Sequence, residues 1–109
     1  MKLAIIGSRK ITNVDIGLYI PNGVTEIVSR GARGVDTLAK EYAIRNDIKL
    51  TEFFPDSKTY QRAAPLKRNE TVAEYADEAL VFWDGCSKGT EYTVEIFRRL
   101  GKRITVILC

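Results

Sequence analysis

Ala79-Leu80-Val81-Phe82-Trp83-Asp84-Gly85-Cys86-Ser87-Lys88-Gly89-Thr90 passes from an unbroken apolar run into a loop of glycines, small hydroxyl residues and a cation. An apolar run that does not alternate with polar residues reads as a strand buried on both faces. Thr93, Ile96, Phe97 and Leu100 then recur at helical spacing until Gly101, which stands where a C′ glycine stops a helix. Strand, glycine-rich turn and helix in that order form the repeating unit of a parallel α/β sheet.

The same unit recurs on either side. Lys2 to Ile6 is a short apolar strand ended by Gly7. Asn13 to Tyr19 reads as a short helix, weakened by Gly17 and ended by Pro21-Asn22-Gly23. Thr25 to Ser29 is a second strand. Val35, Leu38, Ala39, Tyr42 and Ala43 then give the clearest helical period in the chain. Leu50 to Phe54 reads as a third strand closed by Pro55, and Asp56 to Pro65, without period, as a surface loop. A helix is expected from Leu66 to about Tyr75, with Asn69 on its apolar face between Leu66 and Val72/Ala73. Arg103 to Leu108 supplies the fifth strand. The expected fold is α/β, a Rossmann-like three-layer sandwich in one domain spanning residues 1–109, with helices on both faces of a five-stranded parallel sheet. The expected strand order, 3-2-1-4-5, puts a topological switch point between the first and fourth strands, where ligands of such sheets bind.

Composition narrows the chemistry. The chain of 109 residues has no histidine, which removes Ser-His-Asp and Cys-His catalysis and leaves no metal site to expect. Cys86 and Cys109 form no framework and suit a reducing compartment. No apolar run approaches the roughly 20 residues that span a bilayer, so a cytoplasmic protein without a membrane partner is expected. A net charge of +3 suits an anionic ligand but is weak for a protein that coats nucleic acid.

The residues that follow the strands carry the functional signal. Gly7-Ser8-Arg9 follows the first strand. Ser29-Arg30-Gly31-Ala32-Arg33-Gly34-Val35-Asp36 closes the second, and Asp84-Gly85-Cys86-Ser87-Lys88-Gly89-Thr90 follows the fourth. The opposite ends of these elements lack this chemistry. Glycines let backbone N–H groups approach a phosphate, and helix N-termini aim partial positive charge at it. Ser8, Ser87 and Thr90 add hydroxyls, and Arg9 or Arg33 a bidentate fork. The same glycines would also serve plain strand-to-helix turns. Asp36 is open to two readings, a carboxylate favoured by the helix dipole and an acceptor for ribose hydroxyls. Lys67 and Arg68, cations at a helix start, are either a solvated charge pair or contacts to an anion nearby, the second reading being slightly favoured. Asn69 needs a partner from a ligand or a loop. Trp83 is either core or a stacking surface for a base, and Asp84 serves a turn, a ribose or catalysis.

Taken together, Ile6-Gly7-Ser8-Arg9, residues 29–36, Ala64-Pro65-Leu66-Lys67-Arg68-Asn69 and residues 79–90 resemble the SLOG superfamily. That superfamily includes the DprA/Smf and LOG proteins, and the likeness is nearest to its YspA-like, YpsA-related branch of small proteins. The segments run through nearly the whole chain in the same order. The resemblance implies a Rossmann-like fold and binding of nucleotides or of molecules derived from NAD and ADP-ribose. It also implies a bacterial or phage-borne protein, related to ligand sensors of nucleotide-signalled defence. Two departures stand out. Arg30 replaces a usual glycine. The catalytic glutamate of the LOG pattern Gly-Gly-x-Gly-Thr-x-x-Glu falls on Thr93, while Glu91, two residues earlier, lies roughly 200° away around a helix.

The leading expectation is a module that binds a nucleotide derivative as sensor, sponge or carrier, with no certain cofactor and as a homodimer. An N-glycosidic hydrolase using Glu91 or Asp84, with Arg68 on the phosphate, is the alternative. DprA-like binding of single-stranded nucleic acid is the weaker one, because the sequence shows no interleaving of aromatic and basic residues.

Overall fold

The computed structural model describes all residues from Met1 to Cys109. Its strands are β1 (Lys2–Gly7), β2 (Glu26–Ser29), β3 (Lys49–Glu52), β4 (Glu78–Trp83) and β5 (Arg103–Leu108). They form one parallel sheet in the order β3-β2-β1-β4-β5. The expected fold class and strand order therefore hold. Four α-helices accompany the sheet: α1 (Val35–Arg45), α2 (Ser57–Tyr60), α3 (Ala64–Tyr75) and α4 (Lys88–Arg99). None is long and apolar enough to cross a membrane.

Alternation along β1 divides the core. Leu3 and Ile5 face α1 with Ile27, Val35, Ala39, Ala43, Leu80 and Phe82. Ala4 and Ile6 face the other way, toward Val72 and Ala73 of α3 and Val94, Ile96 and Phe97 of α4. Each face of a strand buries every second residue, so a strand covered on both sides must be apolar throughout. Small alanines on β1, α3 and β4 let α3 lie close to the sheet. Lys102 clamps the end of that helix. Its ammonium donates to the carbonyls of Ala73, Glu74 and Ala76 at 2.7, 2.8 and 2.7 Å, satisfying groups the helix leaves unpaired.

Several local expectations need correcting. Asn13 to Tyr19 holds only a 3₁₀ turn, Ile16–Leu18, anchored by buried Ile16. The segment read as a loop, Asp56 to Pro65, contains α2, a 3₁₀ turn at Gln61–Ala63 and the start of α3. Its signals are local: Asp56 caps α2 by accepting from Thr59 N at 3.2 Å, and Pro65 sits in the first turn of α3. Leu66 is exposed, not on the apolar face of α3. The two edge strands are only partly buried, since no strand or second helix layer covers their outer sides.

Candidate functional site

Three loops meet at the carboxyl ends of β1, β2 and β4, and a buried ion pair holds them in place. Arg30, the residue after β2, and Asp36, in the first turn of α1, are both buried. Asp36 Oδ2 accepts from Arg30 N at 2.9 Å and Arg30 Nε at 3.3 Å, and Oδ1 accepts from Arg30 Nη2 at 3.2 Å. Ser29 Oγ donates to Asp36 Oδ2 at 3.5 Å. Arg30 Nη2 also donates to the Gly7 carbonyl at 2.7 Å, which ties the second loop to the first. The fourth strand joins through Asp84 N, which donates to Ser8 Oγ at 3.3 Å.

Above this floor lies a cavity of about 370 Å³. Gly7, Ser8, Arg9 and Lys10 line it from the first loop, Arg30 and Ala32 from the second, and Asp84, Cys86 and Ser87 from the fourth. Arg68 of α3 closes one side. A second hollow, of about 440 Å³, shares Arg9, Ala32 and Arg68 and adds Gly31, Arg33, Pro55 and Pro65. The joined cleft thus presents five cations, Arg9, Lys10, Arg30, Arg33 and Arg68, with Asp84 as the one lining carboxylate.

Arg68 is the unusual member. The residue is only 9% exposed, yet it belongs to no ion pair. Nε donates to Asn69 Oδ1 at 2.9 Å and Nη1 to the Arg30 carbonyl at 2.8 Å. Nη2 has no protein acceptor. No fully buried side-chain N or O lacks a partner, so Nη2 keeps some access to solvent, and Arg68 lines the cavity. Burial, and then the neighbouring charges of Arg30 and Arg9, push its pKa down from the ordinary arginine value, with only Asp36 opposing. Taking an unpaired charge out of water costs several kcal/mol, at order of magnitude, unless something anionic compensates it.

Asp84 is set the opposite way. Its Oδ1 accepts from the backbone N–H groups of Cys86 at 2.9 Å and Ser87 at 2.8 Å. Those two bonds hold its pKa below the usual carboxylate range. Asp84 is therefore an ionised acceptor at neutral pH and not a proton donor.

The cleft gathers Gly7, Ser8, Arg9, Gly31, Ala32, Arg33, Arg68, Asp84 and Ser87 from the residues the sequence singled out. The others stand elsewhere. Asp36 lies in the first turn of α1, where the helix dipole favours a carboxylate, but beneath the cleft with both oxygens occupied by Arg30, which leaves none for a ribose hydroxyl. Asn69 is a buried partner of Arg68. Lys67 pairs with Glu70 at 3.5 Å on a half-exposed side chain. Gly34 has φ +72°, and a Cβ there would lie 2.5 Å from the Arg9 carbonyl oxygen, so this glycine lets two loops touch. Gly7 is required in the same way, by Phe82 O at 2.5 Å and by the Val35 side chain. Gly85 and Gly89 line neither hollow, and Thr90 is buried beside Ser87.

Trp83 and Glu91 are corrected together. They line a separate hollow between α4 and β5, with Val94, Glu95, Arg98, Val106 and Leu108. The Trp83 indole N–H is spent on the Ser87 carbonyl at 3.2 Å. Thr93, at the position of the LOG glutamate, is fully buried and donates to the Gly89 carbonyl at 2.9 Å. The cleft thus holds no glutamate. Sequence reasoning missed Lys10, Arg30 and Cys86. Arg30 was visible only as a bulkier, more basic residue in place of a glycine, because nothing local shows that Asp36, six residues on, turns back to meet it.

No protein-family model matches the chain, and neither does any curated protein or solved structure. The functional reading therefore rests on the cleft.

Proposed function

We propose that this protein binds a nucleotide or nucleotide derivative in the cleft between β1, β2 and β4, holding it by phosphate, and acts as sensor, sponge or carrier. The observation that carries the reading is Arg68, a residue only 9% exposed that has no carboxylate partner, lines the cavity and keeps Nη2 free of any protein acceptor. An anion bound there supplies the missing countercharge and takes charge-assisted hydrogen bonds from Arg68 and Arg9. Phosphate suits a planar donor fork better than a point cation does. Asp84 adds an acceptor that repels a second phosphate and accepts from a hydroxyl, which favours a phosphorylated sugar over a bare polyanion. The likeness of the loop segments to SLOG proteins points to the same ligand class. Binding without turnover is favoured because Glu91 lies outside the cleft, which leaves no glutamate there to act on a glycosidic bond.

A thermal-shift screen over nucleoside monophosphates, NAD, ADP-ribose and cyclic dinucleotides tests this. A ligand at about 100 times its Kd adds about 2.7 kcal/mol to stability. Arg33→Ala should weaken the best ligand about 10- to 150-fold, the worth of one hydrogen bond to a charged group. A flat panel, or full affinity in Arg33→Ala, would contradict the proposal.

A further inference from the structure

The first hollow offers a phosphorylated sugar everything except a surface for a base, because no aromatic side chain lines it. An exposed ring beside the second hollow is Phe54, which follows β3, packs on Gly31 and is 63% exposed. A Cβ built on that glycine would lie 2.3 Å from Phe54 Cε1. Gly31 lines the second hollow of the cleft, so the ring stands at its border. On its other side Phe54 lines a small hollow of about 190 Å³ with Tyr60, Lys67 and Arg68. Arg68 is common to all three hollows. Phe54 is also unstacked. The aromatic pairs of this protein are Tyr19 with Phe82 and Phe53 with Tyr75.

We infer that Phe54 is the platform on which the base of the bound nucleotide stacks, with Arg68 holding the phosphate between that base and the first hollow. The inference rests on the nucleotide reading of the cleft and assigns to Phe54 the role that the sequence offered to Trp83. Exposed rings beside guanidinium groups bind bases because every base has a π-face and the cations hold its phosphate. Gly31 fits the same picture, since any side chain there would push the ring away from the cleft.

Isothermal titration of the wild-type chain, Phe54→Ala and Phe54→Tyr with the four common nucleoside 5′-monophosphates, and with ribose 5-phosphate, tests it. Phe54→Ala should weaken the tightest of the nucleotides by about 5- to 150-fold, the alanine penalty for one stacked base. Ribose 5-phosphate should change by less than about twofold, and Phe54→Tyr should restore the nucleotide affinity. Equal losses for nucleotide and sugar phosphate would make Phe54 a shaping residue and overturn the inference. So would unchanged nucleotide binding in Phe54→Ala. If ribose 5-phosphate binds the wild type as tightly as every nucleotide, the phosphate cleft stands and the stacking platform falls. If none of these compounds binds the wild type, this inference falls, and the nucleotide reading of the cleft stands or falls on the wider thermal-shift screen.

Discussion

Asp36→Asn keeps the shape of the side chain under the cleft and removes its charge. The structure turns that change into a magnitude. The Arg30 side chain is 6% exposed and Asp36 is its only carboxylate partner, reached through Nε and Nη2. With an amide in its place the guanidinium stays buried and unpaired, and breaking a buried pair from one side costs about 3–5 kcal/mol. A domain of this size is stable by roughly 5–15 kcal/mol, so the loss takes about a fifth or more of the total. With an unfolding entropy of about 2.1 cal/mol/K per residue, Tm should fall by about 13–22 °C. Thermal and urea unfolding followed by far-UV circular dichroism measure it. The double variant Arg30→Met/Asp36→Leu removes both charges and should be more stable than Asp36→Asn by at least about 1 kcal/mol. A loss below about 1 kcal/mol in Asp36→Asn, or a double variant as unstable as the single, would refute the reasoning.

Two glycines should separate by geometry. Gly34→Ala places a Cβ against the Ser8 and Arg9 carbonyls at positive φ and should cost more than about 2 kcal/mol, whereas Gly89→Ala meets nothing within 4 Å and should cost nothing or stabilise α4 by up to about 1 kcal/mol. Parallel melts decide it, and equal effects would contradict the close-approach argument. The acid limb of stability should involve Glu26, a buried carboxylate at the far end of the sheet. Burial pushes its pKa up, but bonds from Tyr75 and Thr51 and the charge of Lys49 hold it below the ordinary carboxylate value. Its contribution is therefore present above that ordinary value and lost as pH falls through the depressed one. Glu26→Gln should flatten the decline in urea-measured stability over that window, and an unchanged profile would exclude the role.

The sheet was legible because its central strands are apolar throughout and each ends at a glycine or a short polar turn. Ala79–Trp83 and Lys2–Ile6 could be little else. The 57–63 segment was not, because α2 is one turn long and depends on the Asp56 cap rather than on any period. At the site, the loops were legible as loops, and the cations Arg9, Arg33 and Arg68 as their chemistry. The division of labour among them was not. Asp36 and Arg30 look like free polar residues until the fold brings the β2 turn back on itself. Gly7 and Gly34 look like phosphate-binding glycines, and the neighbours they must clear come from elsewhere in the chain. Trp83 directly precedes the cleft residue Asp84 and Glu91 follows Ser87 by four, yet both line the hollow between α4 and β5, a placement that no motif records.

Arg68→Met tests the central claim most directly. The guanidinium gives up two hydrogen bonds to Arg30 O and Asn69 Oδ1, together about 3–6 kcal/mol, and sheds a desolvation and repulsion cost of similar size. Stability without ligand should therefore change by less than about 2 kcal/mol. Affinity for the best nucleoside monophosphate should fall at least about 10-fold, measured by isothermal titration at fixed salt. A variant that keeps its affinity, or one that loses stability as severely as Asp36→Asn, would mean that Arg68 is a structural strut and the cleft is not built around an anion.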